Sequence, residues 1–133
     1  MKDLSVLQAK RYGSYNCLAS NSLLDAARHM VTRNISALVV VDDAGYLQGI
    51  ITRTDLVRAC YRTKEWATET VGEHMVRDVV TVGPDSPLSA VMELLIDKHI
   101  HRVVAVREEN GKMRPVAVLS AADIVYHMVT ELE

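Results

Sequence analysis

A seven-residue phrase occurs twice in this chain: Gly49-Ile50-Ile51-Thr52-Arg53-Thr54-Asp55 returns as Ala117-Val118-Leu119-Ser120-Ala121-Ala122-Asp123. The residues upstream repeat in register as well. Leu23, Ala26, Ala27, Met30 and Val31 carry the i, i+3, i+4, i+7, i+8 spacing of a helix packed on one side, and Leu88, Val91, Met92, Leu95 and Ile96 reproduce it 65 residues later. The same offset links Ile35 to Ile100 and Val39-Val40-Val41 to Val104-Ala105-Val106, then widens to 68 between Asp55 and Asp123. The added residues are expected in a longer second hairpin loop near Glu108 to Met113, where insertion costs least. A chain of this kind is two copies of one supersecondary unit.

With 133 residues, 49% of them hydrophobic, each half lies near the length at which a core of its own becomes marginal, so the halves are expected to fold as one body. A net charge of −2 from 15 basic and 17 acidic residues gives no pull toward nucleic acid or an anionic membrane. Neither a signal core at Met1-Lys2-Asp3-Leu4-Ser5 nor a bilayer-length apolar run is found, so the expected location is cytoplasmic. Cys17 and Cys60 have no CxxC spacing and are expected to be buried thiols.

A polar leader containing Lys10-Arg11-Tyr12-Gly13-Ser14 precedes an extended piece from Tyr15 to Leu18. A helix begins at Asn21 or Ser22, either of which can cap it. Strands follow over Ser36 to Val41 and Leu47 to Thr52 around a turn at Asp42-Asp43-Ala44-Gly45, and a helix from about Thr54 to Arg62 is expected to bury Leu56, Val57 and Cys60. The second copy runs as strand Val79 to Val82, a helix with Ser86 as cap and Pro87 at its first position, strand Arg102 to Arg107, strand Pro115 to Leu119 and helix Ala121 to Thr130. The pattern divides the chain into a leader and first repeat at 1–63, a linker at 64–72 and a second repeat at 73–133. Trp66, the one tryptophan, reads as a lid or as an exposed anchor.

Two β-α-β-β-α units predict an α/β architecture. This element order, the closing motif Gly-apolar-apolar-Thr/Ser-x-x-Asp and the opening Val79-Val80-Thr81-Val82-Gly83-Pro84-Asp85 resemble the cystathionine-β-synthase (CBS) domain, and two in tandem resemble a Bateman module. The resemblance runs from about Lys10 to Thr130, so no catalytic domain is expected within this sequence. The first repeat departs at its opening, Asn16-Cys17-Leu18-Ala19, and Ala117 stands where the first repeat has Gly49.

The resemblance implies two repeats packed with pseudo-twofold symmetry, with adenosine ligands in the cleft between them. On that reading Thr52 or Ser120, beside the open amides of a helix N-terminus, suits a phosphate. Asp55 or Asp123 accepts hydrogen bonds from a ribose diol. Ile35, Ala37, Ile100 and Val82 form the walls for the base, with Thr81 beside them. Arg53 adds a guanidinium at the first motif that the second lacks, so the first should favour the more anionic ligand, and Arg102 approaches phosphates from across the cleft. The same hydroxyl and carboxylate also read as a capping box, which stabilises a helix by about 0.5–2 kcal/mol without any ligand.

The reading of the whole is a regulatory CBS pair that binds an adenine nucleotide, AMP, ADP or ATP, and signals to an unidentified regulated protein. A homodimer through the helices is expected, and neither nucleic acid nor membrane is expected as a partner. Two alternatives stand beside it: a dimerisation or assembly domain with vestigial clefts, and a site for S-adenosylmethionine or NAD. No enzyme is expected, since no nucleophile–base pair or catalytic carboxylate pair is visible. No metal site is expected either: His99 and His101 lack a third ligand, and His29, His74 and His127 are isolated in sequence.

Overall fold

Helix starts and tight turns set the two units apart. The computed structural model describes residues 2–132, and these divide into a unit of Tyr15–Val79 and a unit formed by Val80 onward together with the leader up to Ser14. Each repeat is a β-α-β-β-α arrangement, so the chain is α/β, as its pattern implies.

In the first unit β1 (Asn16–Leu18) leads to α2 (Leu23–Arg33), β2 (Ala37–Val41), β3 (Leu47–Thr52) and α3 (Arg53–Arg62); α1 (Val6–Ala9) belongs to the other unit. The sheet order is β1-β2-β3, parallel then antiparallel. The Ser22 side chain caps α2 by accepting the Asp25 N–H at 3.1 Å, and the helix stops where Asn34 turns left-handed at φ 52°. Leu23, Ala26 and Met30 of α2 close onto Leu38, Val40 and Ile51 of the sheet and Ala59 of α3.

The buried face of α3 differs from the expected one. It begins at Arg53 with Thr52 as its cap, and it buries Asp55 and Ala59 rather than Val57 and Cys60. The Asp55 carboxylate folds back onto Thr52, which fixes the helical phase. At 100° per residue Val57 then faces away and is 67% exposed. Val31 of α2, part of the expected buried stripe, is likewise exposed.

The stretch after α3 is packed structure. A 3-10 turn at Trp66–Thr68 and helix α4 (Val71–His74) fold onto the first unit, with Val71 fully buried and Trp66 half-buried against the same core. Trp66 is therefore not an exposed anchor. Backbone bonds tie the stretch down: Leu23 N–H to Glu69 O, Val71 N–H to Asn21 O and Gly72 N–H to Ala19 O, each 2.8 Å. Val76 and Ile50 exchange both N–H···O bonds at 2.9 Å. This explains Gly49, where an added Cβ would lie 2.7 Å from the Val76 carbonyl oxygen.

The second unit has β4 (Thr81–Val82), α5 (Leu88–Asp97), β5 (Arg102–Glu109), β6 (Lys112–Ser120) and α6 (Ala121–Leu132), with sheet order β4-β5-β6. Val82, Leu88, Val91, Val103, Ala105, Ala117, Leu119 and Ile124 form its core. The extra residues of this hairpin extend the strands instead of enlarging the loop. The ladder continues to Glu109 opposite Lys112, closed by Asn110 and Gly111 at φ 53° and 77°. Two left-handed residues match the twist of paired strands, which is why Asn-Gly turns so tightly here. Pro115 lies inside β6, at a register shift on the edge of the sheet.

Ser86 does not cap α5. Pro87 is the cap residue, and the Ser86 Oγ accepts the Gly83 N–H at 3.2 Å. The leader supplies the missing cap: Asp3 Oδ1 accepts the Ser89 N–H at 2.9 Å, its Oδ2 accepts the Ser89 hydroxyl at 2.7 Å, and Leu4 O accepts the Leu88 N–H at 2.7 Å. These bonds hold the Asp3 carboxyl below its usual range. Val6 and Ala9 of α1 are fully buried in this unit.

The thiols also part company. Cys60 is exposed, contrary to expectation, while Cys17 is buried and burial pushes its thiol up to about 11. A disulfide-exchange reagent at neutral pH is expected to titrate one thiol per chain at once, and alkylation mapping should place it at Cys60. Because the folded thiol sits above its unfolded value of 9.0, the stability Cys17 contributes is complete below pH 9.0 and is lost as pH rises toward about 11.

Candidate functional site

The two repeated motifs each end a strand and start a helix. At the first, Asp55 is buried and its Oδ2 accepts both the Thr52 N–H at 2.9 Å and the Thr52 hydroxyl at 3.0 Å, while the Asp55 N–H donates to Thr52 Oγ1 at 3.3 Å. This is a capping box. The cap uses one carboxylate oxygen only. The other, Oδ1, accepts from Arg58 Nη1 at 3.2 Å, an i, i+3 pair with the arginine half exposed.

The second motif repeats the two bonds onto the aspartate Oδ2, lacks the return bond from the aspartate N–H to the hydroxyl, and takes its arginine from elsewhere. Asp123 Oδ2 accepts the Ser120 N–H at 2.8 Å and the Ser120 hydroxyl at 3.4 Å. Its Oδ1 accepts from Arg11 Nε at 2.8 Å, and Arg11 comes from the leader, 112 residues away in sequence. The Asp123 hydrogen bond keeps the Arg11 guanidinium above its usual range. In both motifs, then, one oxygen orients the carboxylate on the helix N-terminus and the second faces an arginine.

The other residues singled out by the sequence fall into three groups. Ala37 is the register partner of Thr52, and Arg102 is the register partner of Ser120, so each stands beside its motif at the strand end. Ile35 and Ile100 are half-buried and pack against the cores of their own units. Val82 is buried in the core, whereas Thr81 is exposed; both border an open depression of about 730 Å³ that reaches Val106 and Glu109, toward the far end of β5 from Arg102. Arg53 is exposed and its Nη2 donates to Asn34 Oδ1 at 3.2 Å.

Arg58 and Arg11 were not among the expected residues. Arg58 was legible as the i+3 partner of Asp55. Nothing in the sequence signals the pairing of Arg11 with Asp123. His74 is not isolated either: its Nε2 lies 2.6 Å from Glu69 Oε1, and with Glu73 it brings three ligand atoms within 4.8 Å of one another. His127 Nε2 meets the Ala9 carbonyl oxygen at 2.6 Å, and His29 packs edge-on against Tyr15. Among the described residues no helix is long and apolar enough to cross a membrane.

Comparison with known proteins agrees with this geometry. The family model of the CBS domain matches residues 16–62 and 71–130. The chain is 32% identical over 103 residues to the L-aspartate semialdehyde sulfurtransferase of Methanocaldococcus jannaschii, covering 77% of this chain and 19% of that protein. It is 34% identical over 104 residues to the inosine-5′-monophosphate dehydrogenase of Nitrosopumilus maritimus, covering 74% and 20%. The chain thus spans about a fifth of the length of these two relatives. A solved CBS domain pair in complex with 5′-methylthioadenosine and S-adenosyl-L-methionine superposes with a TM-score of 0.86 at 26% identity, over 98% of this chain and 99% of that one. With both repeats matched and the fold shared along nearly the whole chain, this protein belongs to the CBS domain family.

Proposed function

We propose that this chain is a regulatory CBS pair that binds an adenosine ligand at its Thr52–Asp55 and Ser120–Asp123 motifs and passes the occupancy to another protein. The observation that carries the reading is the division of labour in each aspartate. One oxygen is used by the cap, and the other is presented at a helix N-terminus, held by an arginine that a ribose diol and phosphate can replace. A pure cap needs no arginine on its outer oxygen. Arg53 stands next to Thr52, so rotation away from Asn34 gives the first motif a fork for phosphate, which favours AMP, ADP or ATP. A second reading, S-adenosylmethionine or a related thioadenosine, is supported by the bound ligands of the similar CBS pair. The same diol contact serves both, and NAD also carries it.

We further propose that the chain forms a homodimer through its helices. Ile96 and Val125 line an apolar groove of about 180 Å³ between α5 and α6, and Val31, Val57 and Tyr61 leave an exposed apolar face on α2 and α3. The same helix pair is left uncovered in each repeat, so a second copy offers matching surfaces by symmetry. No nucleophile–base pair accompanies either motif, so the proposed role is non-enzymatic, with the cytoplasm as its setting.

Thermal unfolding with millimolar AMP, ADP, ATP, S-adenosylmethionine, 5′-methylthioadenosine and NAD tests the reading. A ligand at a hundredfold its dissociation constant adds about 2.7 kcal/mol, which raises the midpoint by several degrees for a chain of this size. One ligand class is expected to produce that shift. Absence of any shift beside a dimer in sedimentation would leave the assembly domain as the function.

A further inference from the structure

The two motifs differ most in where their arginine comes from. In the first, Arg58 rides on α3 itself, its side chain 49% exposed. The position 68 residues on is Tyr126, so the second motif has no arginine of its own. The leader fills the gap. Arg11 reaches Asp123 at 2.8 Å with only 28% of its side chain exposed, and its guanidinium stacks over Tyr126 at 4.8 Å and Tyr12 at 5.3 Å from the ring centroids. The Ala9 carbonyl anchors the same segment to His127 of α6.

We infer that Arg11 is a built-in competitor for the second motif: it occupies the Asp123 oxygen that an adenosine ribose needs, so ligand enters there only by displacing the Arg11 side chain and the Arg11–Gly13 stretch that carries it. This rests on the ligand-binding reading proposed above and names the regulation of that same site. The geometry separates an anchored part of the leader from a movable one. Residues up to Ala9 are held by buried Val6 and Ala9, by the Asp3–Ser89 bonds, and by the N–H groups of Val6 and Leu7 on the carbonyls of Ser86 and Pro84. Beyond Ala9, Gly13 is exposed, with nothing within 4 Å of where its Cβ would be, a point at which the segment can swing. The two motifs are therefore unequal: the first is open to ligand past a short, half-exposed i+3 arginine, and the second is latent. Apparent affinity falls by the fraction of time the competent state is populated, so a pair closed nine-tenths of the time weakens binding about tenfold. By the same linkage, ligand at Asp123 releases Arg11 and loosens the Arg11–Gly13 stretch.

The test uses the full chain carrying Asp55→Ala, which weakens the first motif, and titrates AMP and S-adenosylmethionine calorimetrically with and without Arg11→Gln. Removing Arg11 is expected to tighten binding about tenfold. In parallel, tryptic cleavage after Lys10 or Arg11 of the otherwise wild-type chain is expected to accelerate with saturating ligand, and to be fast without ligand in Asp123→Ala. Unchanged or weaker binding on Arg11→Gln, with cleavage indifferent to ligand, would overturn the competitor role; weaker binding would mark Arg11 as a ligand contact instead. The wild-type chain separates the two levels of failure. If it binds a probe at the first motif while the Asp55→Ala chains bind nothing with or without Arg11, the second motif has no latent site and only this inference falls. If it binds neither probe, the ligand reading falls with it.

Discussion

Ile51→Ala is expected to lower the unfolding free energy by about 2–5 kcal/mol, the usual cost of emptying a filled aliphatic site. Ile51 is fully buried in β3, the strand that ends at the Thr52 cap, and it packs with Leu23 and Met30 of α2, Leu38 of β2 and Ala59 of α3. The loss should appear as a lower midpoint in a denaturant titration with little change in slope. Val57→Ala is the matched control. Its side chain faces out from α3, so its effect should stay within about 0.5 kcal/mol. Equal losses at the two positions would contradict the helical phase that the Thr52–Asp55 box imposes.

Asp55→Ala should act on both stability and binding. The substitution leaves the Thr52 N–H and the Arg58 guanidinium without their acceptor, which costs about 1–3 kcal/mol of stability. It also removes a charged acceptor from the proposed ribose contact. Hydrogen bonds to charged groups are worth about 1.5–3 kcal/mol, so affinity for the adenosine ligand should fall by roughly ten- to 150-fold. Asp55→Asn separates the effects, since it retains a carbonyl for the cap and loses the charge. A chain that lost stability with Asp55→Ala but bound ligand as before would show a motif that only caps.

How far such a structure can be read from its sequence depends on the range of the contacts. The helices α2 and α5, the strand pairs and both Thr/Ser-x-x-Asp motifs were legible because each is local and occurs twice. Short elements were not. The 3-10 turn at Trp66 and the four residues of α4 are too brief to show a period, so a packed segment read as a linker. The second hairpin is hard to read because Asn110-Gly111 lies in a polar stretch, yet that dipeptide is a two-residue turn that lets the strands run on. Helix faces failed where a polar contact outranked the apolar pattern, as at Val57 and Cys60. At the candidate site, both aspartates and their hydroxyl partners were legible. Arg11 was not, because its pairing with Asp123 and the cap that Asp3 gives α5 join residues 112 and 86 positions apart, and no local rule carries that distance.

The claim that matters most is that the aspartates serve a ligand as well as a helix. Equilibrium dialysis of labelled AMP and, separately, of labelled S-adenosylmethionine against the wild-type chain, with Asp55→Asn alongside, tests it directly. Saturable retention of at least one of the two compounds, together with a loss of at least tenfold in the asparagine variant, is the expected outcome. No saturable retention of either compound, or retention unchanged by the loss of the carboxylate, would contradict it.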